Sequence, residues 1–185
     1  FFLLDDIPDI STDAVSFRSM ARMRSSVRDA AIGAGQIALE FNAWLEKRFE
    51  LPKIELPDLF DFEPETAAEM VRNTWALGQR TIKNIIHLLE AKGVRIFSLS
   101  ENIREMDAFS FWETNRPFIF LNTGKSVERE RFDAAHELGH LVLHKHGSSK
   151  GKEVEGQANR FASAFLMPRG SVFPYATRTD RKSVV

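Results

Sequence analysis

The run Phe132-Asp133-Ala134-Ala135-His136-Glu137-Leu138-Gly139-His140-Leu141-Val142-Leu143-His144 restricts this chain more than any other feature. On a helix, residues four apart lie about 40° from one another and about 6 Å along the axis. His136 and His140 can therefore aim their imidazoles at one point, as a metal ion requires. Glu137 falls on the flank of the same face, where it can take a proton from an activated water without being a ligand. Ala134, Ala135, Leu138, Leu141, Val142 and Leu143 make the rest of the helix apolar, so burial on most sides is expected. Two imidazoles and a carboxylate in such surroundings are costly unless satisfied, and a metal satisfies them directly. A His-Glu-x-x-His pattern also arises by chance on polar surface helices. This apolar setting weighs against that origin.

Composition narrows what can complete such a site. The 185 residues include no cysteine, which removes disulfides, thiolate nucleophiles and cysteine-rich structural zinc sites. Any zinc must be held by histidine and carboxylate, the ligand set of hydrolytic centres. Lys and Arg number 25 against 26 Asp and Glu, a net charge of -1 that gives no global pull toward nucleic acid or acidic membranes. No apolar run approaches the roughly 20 residues of a membrane span, and no secretory leader is legible, so a cytoplasmic location and no membrane partner are expected. The chain opens at Phe1 rather than at methionine and is expected to be part of something longer.

A zinc hydrolase needs a third protein ligand and an open fourth position. His146 has the third-histidine spacing of the metzincins, but that arrangement needs glycine where Leu143 stands. Glu155, in Glu155-Gly156-Gln157-Ala158-Asn159, is the stronger candidate: a carboxylate on a second helix gives the two-histidine-one-glutamate set of the gluzincins. Glu153 is a weaker substitute. Asn159, four residues after Glu155 on the same face, can hydrogen-bond a ligand histidine from outside. Asp133 can orient His136 or a neighbour, or simply pair with Arg129. His144 lies too far along the axis to share the ion; it can contact substrate or serve as a helix C-terminal histidine. Tyr175, the only tyrosine, is a candidate oxyanion donor with packing as its alternative.

Along the chain, apolar spacing predicts a long helix over about 26–49, closed by Leu51-Pro52. Residues 52–63 read as a linker or arm. Helices are expected from Pro64 to about Leu77 with Gly78 beyond, and from Thr81 to Ala91 with Gly93 beyond. Strand-like runs follow at Val94–Leu99, Ala108–Trp112 and Phe118–Leu121; the polar 113–116 stretch suggests a hairpin, and Pro117 suggests a sheet edge. Ser126 can cap a helix reaching about Lys145, and a further helix is expected from Val154 to Met167, stopped by Pro168. The edge near Phe109–Trp112 can bind an extended peptide by strand addition.

The run His136-Glu137-Leu138-Gly139-His140, followed by Glu155, Ala158, Asn159, Arg160, Phe161, Ala162 and Leu166-Met167-Pro168, closely resembles the ImmA/IrrE family of metallopeptidases. The resemblance covers about residues 65–170. It implies an α+β, zincin-like fold in which a small sheet packs on the metal-bearing helices, preceded by a helical segment. The division expected is a helical segment and linker over 1–63, the metallopeptidase domain over 64–175 and a tail over 176–185. It further implies one Zn2+ per chain on His136, His140 and Glu155, Glu137 in the catalytic position, and endoproteolysis of a regulatory protein, typically a helix-turn-helix repressor. Longer relatives carry a Cro/repressor-like domain ahead of such a region, so DNA contact is expected only through a domain upstream of residue 1. The alternative is a non-proteolytic zinc-containing sensor or interaction module of a transcriptional regulator or toxin-antitoxin system. Arg18, Arg22, Arg24 and Arg28 offer that reading a basic cluster, though such clusters are usually solvated helix faces.

Overall fold

The computed structural model describes residues 24–99, 103, 106–144 and 151–172. Within them the fold is α+β, with six helices and a three-stranded sheet. Helix α1 spans Ser25–Glu46, α2 Pro64–Thr74 and α3 Ile85–Ala91. Strands β1 (Arg95–Ser98), β2 (Ala108–Glu113) and β3 (Arg116–Leu121) follow, then α4 (Val127–Leu143), α5 (Lys152–Leu166) and the short α6 (Arg169–Val172). Tyr175, His146, Arg18 and Arg22 lie outside the described residues.

Strand order is β1-β3-β2, with β1 parallel and β2 antiparallel to β3. The hairpin turns at Thr114 and Asn115, both with positive φ (43° and 62°), the left-handed pair that matches the twist of a two-residue connection. Pro117 does not mark an edge: β3 is the central strand. Pro117 is tolerated because it faces Trp112 next to the turn, and the pairing of β1 with β3 begins only at Phe118. No ladder hydrogen bond is therefore asked of its nitrogen.

The sheet is covered on both faces. Phe97, Phe109, Phe111, Phe118 and Phe120 share one face and stack on one another, with Phe109 and Phe120 centroids 4.5 Å apart. Val27, Ala31 and Ala38 of α1 close that face. The alternate residues Ala108, Trp112, Ile119 and Leu121 pack with α4, α2 and α5 in the second core. This alternation is the period-2 pattern of a strand buried on both sides.

Segment 52–63, expected as a linker or arm, is strapped across the domain. Leu59 is buried in the larger core and its N–H donates to Val142 O. Glu55 N donates to Lys92 O, and Trp75 Nε1 donates to Glu55 O. Gly93, at φ 86°, is required here, because a Cβ would fall 2.6 Å from Lys53 O and 2.7 Å from Ile54 Cα.

Two helices are shorter than expected, for polar reasons. The fully buried Arg72 donates to Gly78 O, Arg80 O and Phe165 O, bending the chain after Thr74 back under α2. Helix α3 begins late because Asn84 Oδ1 caps His87 N, while Arg131 holds the carbonyls of Ile82 and Lys83 outside the helix.

Candidate metal centre

Ser126 Oγ accepts from Arg129 N and starts α4. From there ten residues of α4 are buried, among them Asp133, Glu137 and His140. Helix α5 crosses α4 at Gly139, where an added Cβ would stand 3.1 Å from Phe161 and 3.3 Å from Ala158 Cα. The glycine between the two histidines thus lets α5 approach closely enough for Glu155, one turn before Ala158, to reach both imidazoles.

His136 Nε2 lies 3.0 Å from His140 Nε2, 3.3 Å from Glu155 Oε2, and His140 Nε2 lies 3.7 Å from Glu155 Oε1. A tetrahedral zinc ion with bonds of about 2.0–2.1 Å needs donor–donor edges of about 3.3 Å, which these values bracket. The three residues offer ligand atoms all within 4.8 Å of one another. Asn159 Oδ1 lies 3.0 Å from His136 Nδ1. A carbonyl oxygen only accepts, so the ring proton sits on Nδ1 and Nε2 presents a lone pair to the cluster. Lone pairs and a carboxylate converging at these distances repel unless a cation joins them, and the donor set suits a divalent metal.

The electrostatics agree. Burial alone would lower the His136 pKa, but its hydrogen bond to Glu155 and the charges of Glu137 and Glu155 outweigh this and raise it. In their protonated forms His136 and His140 donate to Glu155 and hold its carboxyl far below its usual range. The site attracts positive charge.

Glu137 is 5% exposed and lines the same cleft, of about 240 Å3, as His136, His140, Glu155 and Asn159. Its Oε2 accepts from Ser110 Oγ at 2.6 Å. Asp107, and Ala108 and Phe109 at the start of edge strand β2, also line the cleft, as do Arg129 and Asp133.

The other expected residues fall differently. Asp133 is ion-paired with Lys125 and Arg129, both at 3.2 Å, so its partners are these cations rather than an imidazole. His144 is absent from the walls of the cleft: it stands behind His140, with Nδ1 3.1 Å from His140 Nδ1 and Nε2 2.8 Å from Gln157 Oε1. The structure thus places His144 beside His140 and Gln157, away from the cleft lining. Burial pushes its pKa down. Glu153 is exposed and outside the cluster.

Sequence reasoning missed Ser110 and Gln157. A lone serine in the otherwise apolar Ala108-Phe109-Ser110-Phe111-Trp112 strand was the available signal, since a buried hydroxyl must find a partner.

The family model for peptidase M78, the IrrE N-terminal-like domain, matches residues 89–184, just over half of the chain. The chain belongs to the M78 peptidase family. No curated protein and no solved structure matches it significantly. The matched span contains the sheet, α4 and α5, so every residue of the cluster lies inside the M78 domain. M78 domains are of metallopeptidase type and act on protein substrates. No helix among the described residues is long and apolar enough to cross a membrane.

Proposed function

We propose that this M78 domain is a zinc-dependent endopeptidase that cleaves a regulatory protein, of the helix-turn-helix repressor class that the family resemblance suggests. The observation that carries the reading is the meeting of His136, His140 and Glu155 beside a buried Glu137 in one cleft. The first three would hold the ion, and a zinc ion so held supplies Lewis acidity toward a water and a peptide carbonyl.

The remaining steps belong to the chain. Glu137 accepts the proton of the attacking water and returns it to the leaving amine nitrogen. Ser110 fixes the carboxylate by donating to Oε2. Strand β2 is an edge of the sheet and its first residues wall the cleft, so an extended substrate can pair with it and lay its scissile bond across the ligands. Asn159 keeps the His136 lone pair directed inward. A sensor role without proteolysis needs the ligands alone and gives Glu137 nothing to do.

Glu137→Gln preserves shape and removes the base. It should retain one zinc ion per chain while cleavage of a co-encoded repressor falls by about 100- to 10,000-fold. Undiminished cleavage by this variant would overturn the mechanism. Zinc binding without cleavage by the unaltered protein, over a panel of repressors, would favour the sensor.

A further inference from the structure

We propose that Gln157 and His144 form a directional hydrogen-bond relay that fixes His140 in the tautomer able to hold a metal. The inference rests on His140 being a ligand, as proposed above.

The contact between His140 Nδ1 and His144 Nδ1, at 3.1 Å, needs one proton between two ring nitrogens. A neutral imidazole carries a single N–H, so the proton can come from either ring. If His144 donated it, the proton of His140 would sit on Nε2 and point at His136 and Glu155, where the ion would bind. If His140 donates it, Nε2 is left with its lone pair facing the cluster. The local contact alone does not choose.

Gln157 chooses. Its Oε1 lies 2.8 Å from His144 Nε2, and a carbonyl oxygen can only accept. The proton of His144 is therefore on Nε2, its Nδ1 is an acceptor, and His140 must donate from Nδ1. The order Gln157–His144–His140 thus directs a lone pair at the ion site, as Asn159 does for His136 in one step. Both acceptors sit on α5, two and four residues after the ligand Glu155. Helix α5 would then supply one ligand and set the tautomers of the other two. His144 reaches its place because it caps α4, its N–H bonded to His140 O, with the ring beside that of His140.

Isosteric substitutions separate this relay from packing. Gln157→Met keeps length and volume but removes the acceptor; Gln157→Glu keeps an acceptor and removes the donor. His144→Phe keeps a ring and removes both nitrogens. Zinc affinity is read by competition with a chromophoric chelator, and tautomers by 15N NMR of histidine-labelled, metal-free protein. The unaltered protein should show His140 protonated at Nδ1 and His144 at Nε2. Gln157→Met and His144→Phe should bind zinc about 10- to 100-fold more weakly and Gln157→Glu within a few-fold of the unaltered protein. His140 protonated at Nε2 in the unaltered protein, or equal loss in the Met and Glu variants, or no loss in Met, would overturn the relay while leaving the metal site standing. An unaltered protein that binds no zinc would overturn both.

Discussion

The two faces of the three-stranded sheet are made by alternate residues of the same strands, yet they do different work. Under α1, five phenylalanines stack, and the polar groups of that face, Arg95 with Asn42 and Glu46 of α1, pair with one another. Against α4, the strands place Ser110 between Ala108 and Trp112, and its hydroxyl holds the Glu137 carboxylate. The first face supplies burial and structural pairing, and none of those three polar side chains lines the cleft. The second accepts the cost of a buried carboxylate in order to aim it into a cleft. Because pleat periodicity separates the faces, with Phe109 alone of the five phenylalanines also reaching the cleft, stability and chemistry should be largely separable by mutation.

The sharpest way to break that separation is at the ligands. Glu155→Ala should weaken zinc binding by about 1,000-fold or more, because each of three ligands carries several kcal/mol of a binding energy of roughly 10–16 kcal/mol. Unfolding of the metal-free protein should lose only the pairing of Glu155 with His136 and His140, as Glu155 lies outside both cores. On the aromatic face, Phe120→Ala should cost about 3–5 kcal/mol in urea unfolding, with zinc affinity of the folded protein within a few-fold of the original. A collapse of zinc affinity there would show that the faces are coupled after all.

A smaller effect tests the link between strand and base. Ser110→Ala leaves one Glu137 oxygen without its donor, a loss of about 1–3 kcal/mol. The turnover of peptide should fall about 10-fold while zinc affinity is retained; loss of zinc instead would place Ser110 in the ligand scaffold.

The smallest lies at the cleft rim. The Lys125 ammonium, and then the Arg129 guanidinium, hold the Asp107 carboxyl below its usual range. A depressed carboxylate stabilises the fold above its unfolded pKa of about 3.9, and that contribution is lost as pH falls through the lower folded value. Asp107→Asn should therefore be less stable at neutral pH by under about 1 kcal/mol, as an exposed pair is screened, and the difference should vanish in strong acid. A difference that grew on acidification would contradict the sign.

What the sequence reveals of this site is whatever lies on one helix at a time. His136, Glu137 and His140 follow from helical periodicity, and the Glu155–Asn159 pair from the same rule one helix later. Ser110 and Gln157 act through the register of β2 on α4 and of α5 on α4, which no local spacing encodes. The same limit hid Arg72, whose burial depends on three carbonyls brought in by Gly78, Arg80 and Phe165. It also hid the strap of residues 52–63: Gly93 is legible as a helix stop, but the approach of Lys53 to it is not. Pro117 sits in the central strand because the neighbouring strand begins only at Phe118, a boundary that the proline itself does not encode.

Two histidines and one glutamate are expected to hold a single ion. Zinc-edge X-ray absorption on the protein loaded with one equivalent measures this directly. The account predicts two imidazole nitrogens at about 2.0–2.1 Å, with oxygen completing a four-coordinate shell. Three imidazoles, or one, would contradict it.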